Sequence, residues 1–279
     1  MRREESALMR GLLSVFKYPG SKGALRDRIV ELLPPHRTYC EPFGGSAAVL
    51  LAKEPAPVEW YNDTDAVVVD LFKLLREEGE QLEVLCNQLS LTPYARRELA
   101  FAREHAQHED RIERLRCFLV RSWFSRMGAV NDHRTGWKLA LSDSKVVSAW
   151  NSVPDRLRAA AKRFKTVHIE NIPAVELILR VDGPRTSFYI DPPYPLSVIN
   201  FRKAVIYSKP FSDHDHFDLL SACANLKGAV IISGYRHPMY DHHLRDWRRL
   251  DINHICQSGA TKVESLWMNF DPPEVRSCA

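Results

Sequence analysis

Residues 188–197 read FYIDPPYPLS, where a run of strand-forming residues stops against two prolines and an aromatic, with a carboxylate at the junction. A proline has no backbone N–H and pushes the residue before it toward an extended conformation, so Asp191, Pro192, Pro193 and Tyr194 have few ways to rearrange. The tetrad is therefore a fixed set of hydrogen-bond acceptors beside an aromatic ring. Asp-Pro also opens turns and Pro-Pro also ends strands, so the chemistry of the ledge depends on what the rest of the chain brings to it.

A second constellation lies near the N-terminus. "CEPFGGSAAV" (40–49) follows a strand-like "TYCEPF" (38–43), and Asp63 ends a second strand 22 residues after Glu41. Gly44 and Gly45 let the backbone pass close to a ligand, Glu41 is aimed at the same place, and an acid at the end of the second strand commonly holds ribose hydroxyls. In open α/β sheets, ligands bind beyond the carboxyl ends of the strands, near the point where strand order reverses. "EPFGGSAA" is not G-x-G-x-x-G, nothing basic is placed for a pyrophosphate, and Glu41 would repel one. A nucleoside with a cationic, phosphate-free tail fits better, which is a description of S-adenosylmethionine.

The elements that must carry these groups alternate between strand and helix in two regions. The first has strands at 38–43 and 57–63 and helices from "GSAAVLLAK" and "DAVVVDLFKLLREEG" (65–79). The second has "TVHIEN" (166–171) as a strand, the helix "PAVELILR" with Pro173 suited to its first turn, and the buried strand "TSFYI" (186–190). It continues with a helix capped by Ser212, the buried strand "GAVIISGY", and "TKVESLWMNF", which alternates as a final strand at the sheet's edge. Residues 80–165 suspend this rhythm: they are mostly helical, with a loop or hairpin around Asn131, Asp132 and Gly136. The expected organisation is a first catalytic part at 1–79, an insertion at 80–165 and a second catalytic part at 166–279.

Hydrophobic residues make up 45% of the 279 and charged residues 27%, as in ordinary globular proteins. No segment has the roughly 18 to 20 uninterrupted apolar residues of a bilayer span. The charged start "MRREESALMR" lacks the apolar core of a secretion signal, so a cytoplasmic protein is expected. The six cysteines are scattered without a C-x-x-C pair, against both a zinc site and a disulfide framework. "HDH" (214–216) opens a helix and is expected to face solvent, so no metal site is assigned. Net charge is +4, yet residues 111–165 hold thirteen Lys or Arg against four Asp or Glu. A basic face of this kind suits a polyanion docking at one place, the plain alternative being a solvated helical surface.

Together, "FKYPGSK" (16–22), "CEPFGGSAAV", "YNDTD" (61–65), "IDPPY" (190–194) and "IISGY" (231–235) resemble the Dam-like, alpha-group adenine-specific DNA methyltransferases. The order matches too: cofactor motifs, then a target-recognition insertion, then the Asp-Pro-Pro-Tyr tetrad. The resemblance covers roughly residues 14–270 and is weakest in the insertion. It implies an α/β, Rossmann-like S-adenosylmethionine-dependent methyltransferase with a mixed sheet and a mostly helical target-recognition insertion. It makes Tyr18 and Lys22 part of the wall around the cofactor's methionine end, puts Glu41, Phe43 and Gly45 in the cofactor turn, and gives the ribose to Asp63. One departure is plain: the family pattern resembles "IENxDA", whereas this chain reads "IENIPA", with Pro173 where an acid holds the cofactor's adenine amine. Asn171, Glu170 and the backbone beside Ile172 are the nearest substitutes.

The resemblance also assigns the ledge. If the Asp191 carboxylate and the Pro192 carbonyl each accept one amino hydrogen of adenine, the nitrogen is drawn toward tetrahedral geometry and its lone pair is freed to attack the methyl. Pro193 stiffens the turn and Tyr194 stacks on the base. A duplex buries this amine, so the base must flip out at a cost of a few kcal/mol. Arg116, Arg121, Arg126, Arg134 and Lys138 of the insertion, and Arg202 and Lys203 of a flap-like loop at 195–210, are the expected DNA contacts. Trp123 and Phe124 are expected in the insertion's core. Double-stranded DNA is the expected partner of a prokaryotic or phage-encoded monomer, and a cognate restriction endonuclease is a partner the family allows. Cytosine-N4 methylation, methylation of RNA or a protein amide, and a DNA-binding module of this fold without activity stay open at this point.

Overall fold

The computed structural model describes residues 14–18, 20–77, 79–126, 136–139, 145–195, 197, 211–255 and 261–273. Its first strands and helices alternate as α1 (Arg26–Leu32), β1 (Thr38–Glu41), α2 (Ala48–Ala52), β2 (Val58–Asn62) and α3 (Ala66–Glu77). The insertion supplies α4 (Glu80–Leu91), α5 (Arg96–Glu104), α6 (Arg111–Phe124), α7 (Lys145–Asn151) and α8 (Val153–Phe164). Alternation resumes with β3 (Val167–Glu170), α9 (Ala174–Val181), β4 (Thr186–Ile190), α10 (Asp213–Cys223), β5 (Ala229–Gly234) and α11 (Pro238–His243). A hairpin of β6 (Arg248–Ile255) and β7 (Thr261–Met268) closes the sheet.

The strand order is β3-β2-β1-β4-β5-β7-β6. The first five strands are parallel, and β7 runs antiparallel to both β5 and β6. The chain leaves β1 toward β2 and β3, then crosses back to place β4 on the other side of β1. The strand order therefore reverses between β1 and β4, and the residues just beyond Glu41 and Ile190 meet there, as a ligand site in such a sheet requires.

Both faces of the central strands are covered, which explains their continuous apolar runs. Tyr39, Tyr61, Tyr189 and Ile231 face a core completed by α3 and the insertion. Cys40, Phe188, Ile190 and Ile232 face a second core with α9, α10 and α11. The insertion's described buried apolar residues belong to the first of these cores. Phe16 meets Phe118 of α6 at 5.1 Å, and Phe72 of α3 stacks on Phe164 of α8 at 4.4 Å. A buried ionic triad adds to this joint: Glu59 of β2 accepts from Lys53 at 2.6 Å and from Arg163 of α8 at 2.8 Å.

Three expectations are corrected. β7 is not the edge, because β6 lies outside it and was not foreseen. Pro173 stands at the N-cap of α9 and not within its first turn. His216 is fully buried, with its Nδ1 2.8 Å from the Tyr240 hydroxyl, because it lies on the inner face of α10. The short helices α1 and α11 were also unread. Ser212 does cap α10, through a reciprocal pair with Asp215. Among the described residues there is no helix long and apolar enough to cross a membrane and no group of side chains able to hold a metal.

Candidate active site

The turn after β1 is shaped by close packing. Gly45 has φ +47° and Ala47 φ 54°, both in the left-handed region that L side chains resist. A Cβ on Gly44 would lie 2.1 Å from the Tyr61 ring, so only glycine fits there. The Tyr61 hydroxyl donates to the Gly45 carbonyl at 2.6 Å, and the Gly45 N–H donates to Asp63 Oδ2 at 2.8 Å. Asp63 Oδ1 also accepts from the Asp65 N–H at 2.8 Å. The acid at the end of β2 is thus tied directly to the glycine turn at the end of β1.

This turn forms one wall of a cavity of about 800 Å³, counted out to its open mouth. Tyr18, Lys22, Glu41, Phe43, Gly45 and Asp63 line it, and so do all four residues of the Asp-Pro-Pro-Tyr ledge. Asn171 is not in the lining. It sits exposed beyond β3, where its Nδ2 donates to the Asp63 carbonyl at 2.6 Å. The backbone beside Ile172 is already engaged, its N–H and carbonyl both bonded to Asn62 at 3.0 Å.

The ledge itself is fastened by three residues from other elements. Lys22 Nζ donates to Asp191 Oδ1 at 2.6 Å and to the Tyr194 hydroxyl at 3.1 Å, and lies 3.4 Å from Glu264 of β7. Ser233, at the end of β5, donates to the same Asp191 Oδ1 at 2.9 Å and is itself 2.9 Å from the Tyr189 hydroxyl. Among the described residues no donor reaches Asp191 Oδ2, so one oxygen is fixed and the other keeps its capacity to accept. The Tyr194 hydroxyl sits 3.2 Å from both Glu264 oxygens, and its ring stacks on Tyr235 at 4.2 Å. Tyr235 therefore covers one face of that ring, and Lys22 Nζ lies 5.1 Å from its centre.

Burial and charge set the protonation of these groups. Burial disfavours the Lys22 ammonium, yet Asp191, Tyr194 and Glu264 together hold its pKa well above the usual lysine value. Burial pushes Glu41 up to about 8 even though the Tyr39 hydroxyl donates to it at 2.6 Å. Burial likewise raises Asp63 to about 6 against the pull of the Asp65 and Gly45 N–H groups. Burial also raises Glu264, with Lys22 opposing.

Sequence reasoning missed Ser233, Tyr235 and Glu264 as parts of this site. Ser233 and Tyr235 lie within "IISGY", but nothing in that motif shows that the serine faces Asp191. Glu264 carried a usable signal: it shares strand parity with Leu266 and Met268, both buried, so a charge stands on an inward face.

The insertion's basic residues divide. Arg116 is paired inside the protein with Glu113 at 2.6 Å and Glu98 at 3.0 Å. Arg121 is buried on α6, with its Nε 3.4 Å from the Cys117 carbonyl. Arg126 is exposed beside Gly136, and Lys138 is half-buried. Trp123 and Phe124 are buried, as expected of core residues, and Trp137 packs on Tyr94. Arg134, Arg202, Lys203 and most of the 195–210 loop lie outside the described residues.

A parallel sheet with one reversed strand beside β5, and a ligand cavity at its switch point, defines the Rossmann-like methyltransferase class. Within it, residues 18–261 match the model of the D12 class N6 adenine-specific DNA methyltransferases, and the chain belongs to that family. It is accordingly an enzyme that methylates the N6 amine of adenine in DNA. The curated proteins yielded no match.

Proposed function

We propose that the cavity binds S-adenosylmethionine against the glycine turn and receives a flipped-out adenine of duplex DNA against the Asp191–Tyr194 ledge. The observation that carries this reading is the ledge's asymmetry: Lys22 and Ser233 hold Asp191 Oδ1, while Oδ2 keeps its accepting capacity beside the cavity shared with Glu41 and Asp63. The acids suit a cationic ligand, and the one lysine in the lining is already matched by Asp191 and Glu264. Asp63 would take the ribose, with Tyr18, Phe43 and Gly45 around the ligand's body. S-adenosylmethionine supplies an electrophilic methyl group.

Asp191 Oδ2 and the Pro192 carbonyl accept the two amino hydrogens of adenine, which localises the nitrogen lone pair. The amine nitrogen would take the methyl group that the bound cofactor supplies, leaving the cofactor's sulfur as a neutral thioether, and Asp191 would receive the proton that the nitrogen sheds. Acceptors fixed in advance need no reorganisation during the step, which is where such sites gain most of their rate. Residues 1–79 and 166–279 form the catalytic part, and residues 80–165 supply the DNA-facing insertion with Arg126 at its surface. Incubating the protein with methyl-labelled S-adenosylmethionine and mixed-sequence duplex, then identifying the labelled base, tests the whole reading. Label on N6 of adenine is expected. Label on cytosine N4, on RNA or protein only, or on nothing would overturn it.

Cofactor affinity should rise with pH. In the free protein Glu41 keeps its proton up to about 8 and Asp63 up to about 6. A cationic ligand favours their ionised forms, so binding expels protons and tightens from pH 6 upward. The ligand's own amino group loses its charge near 7.7–8.0, so the rise should end at about pH 7.5. Calorimetric titration in buffers of different ionisation heat measures the protons released. Binding that is flat across this range would mean that neither acid faces the ligand's charge.

The adenine end of the cofactor is the least provided for. Asn171 gives one amide hydrogen to the Asp63 carbonyl, and among the described residues no donor reaches its Oδ1, which would accept from the adenine amine. Pro173→Asp restores the family's acid at an N-cap position that aspartate favours. It should tighten cofactor binding by about 0.5 to 1.5 kcal/mol, roughly two- to twelvefold, in a titration without DNA. Asn171→Ala should weaken binding. If both variants bind as the parent does, this turn makes no contact with the adenine.

A further inference from the structure

Lys17 immediately precedes Tyr18 of the cavity wall and lies just outside the residues matched to the family. Its backbone is clamped by α6: the Lys17 N–H donates to Ser122 Oγ at 2.7 Å, and that hydroxyl donates back to the Lys17 carbonyl at 2.8 Å. The ammonium sits 4.4 Å from the centre of the Trp123 ring, and the Arg156 guanidinium approaches the same indole at 5.1 Å. Lys138 is near enough for its charge to act on the Lys17 ammonium. Two cations from separate segments thus converge on one indole, and a third lies beside Lys17.

Among the described residues no acid answers them. Arg156 gives its donors to Ser152 Oγ at 2.9 Å and the Ser14 carbonyl at 3.5 Å, and among the described residues no carboxylate pairs with any of the three. Elsewhere this fold matches its basic groups with acids: Arg111 with Asp70, Arg158 with Glu83, Arg163 with Glu59. Like charges held this close repel one another unless an anion sits among them. All three residues are only half-buried, so an anion can reach them.

We infer that Lys17, Lys138 and Arg156 form an anion site that grips a backbone phosphate of the duplex beside the extruded adenine. The inference rests on the DNA reading above and adds the place where the phosphate is held. It also gives DNA binding a proton signature. Burial, then Lys138 and Arg156, bring Lys17 down to about 7. The groups facing it are Lys138, Arg156 of α8, and Ser122 and Trp123 of α6, none of them acidic. An arriving phosphate restores the charge on Lys17, so binding at pH 8 takes up a proton and weakens as pH rises from 7 to 9.

The test is binding of a mixed-sequence duplex without cofactor. The parent should take up close to one proton at pH 8, read by calorimetry in buffers of different ionisation heat. Lys17→Met should abolish that uptake and, at pH 6.5, lower the log-log salt slope by about one unit. Lys17→Arg, charged throughout this range, should keep the slope and lose the uptake, which separates a phosphate contact from a folding defect. Unchanged uptake in either variant, with the duplex still bound, overturns the site while leaving the DNA reading intact. Proton uptake that saturates with inorganic phosphate alone would make it a free-phosphate site and overturn the duplex assignment. A parent that binds no duplex overturns the DNA reading and this inference together.

Discussion

Replacing Asp191 with alanine is expected to lower methyl transfer to duplex DNA by at least about 10²- to 10³-fold, the usual cost of removing one preorganised hydrogen-bonding partner of a reacting group. Duplex binding should stay within about twofold, because the carboxylate serves the amine and not the phosphates. The geometry explains why the loss should be large. Glu41 is held by the Tyr39 hydroxyl and Asp63 by the Gly45 and Asp65 N–H groups, so neither is free to take the place of Oδ2. Glu264, the other acid on Lys22, is itself engaged with the Tyr194 hydroxyl. Asp191→Asn keeps one acceptor oxygen but adds an N–H donor that must find a place. It should retain more activity than alanine only if its carbonyl takes the Oδ2 side. Single-turnover methylation with saturating cofactor measures the chemical step directly. Turnover within tenfold of the parent, about 1.4 kcal/mol of barrier, would remove Asp191 from the role of amine acceptor.

The parts of this site that can be read from sequence are those whose backbone chemistry is unusual. Proline and glycine restrict or extend the backbone in ways that are local, so the ledge at 191–194 and the turn at 44–45 announce themselves. The parallel strands do the same, because burial on both faces leaves an uninterrupted apolar run. β6 is harder to see: Leu250 and Ile252 alternate with Arg249, Asp251 and Asn253, and so much polarity on an edge strand reads as loop. The partners of charged residues are harder still. The charge excess of residues 111–165 is real in sequence, but much of it is answered from elsewhere in the fold. Asp70 and Glu77 of α3 take Arg111, Glu83 of α4 takes Arg158, Glu98 of α5 takes Arg116 and Glu59 of β2 takes Arg163. A count within one window cannot register acids that arrive from other elements. It therefore could not show that Arg116 has acids of its own, and it gave no reason to single out Lys17. Lys22 and Glu264 illustrate the same limit inside the site, since the two partners of one ion pair come from opposite ends of the chain.

Lys22→Met should be the most damaging single change to this network, in stability as well as activity. The lysine is 6% exposed and bridges Asp191 at 2.6 Å and Glu264 at 3.4 Å, with Glu264 1% exposed. Removing one partner of a buried ionic group leaves an uncompensated charge and typically costs about 3–5 kcal/mol. Here two carboxylates would be left facing each other without a cation between them. Such a pair resists ionising together, so one takes up a proton. Burial already raises Glu264, and Lys22 is the first influence opposing that rise. The residual methyl transfer of Lys22→Met should therefore show an acid limb displaced to higher pH, because the ledge works only with Asp191 ionised. Glu264→Gln in the Lys22→Met background removes the repulsion while keeping a partner for the Tyr194 hydroxyl. The double variant should recover part of the lost stability and return the acid limb toward its original position, although methyl transfer stays below the parent's. Denaturant unfolding and pH–rate profiles of the two single variants and the double form a complete cycle. A Lys22→Met protein that is as stable as the parent, with its acid limb unmoved, would show that the lysine is a bystander. An acid limb that moves but is not restored by Glu264→Gln would place the second charge elsewhere in the cavity, with Glu41 and Asp63 as the acids that remain.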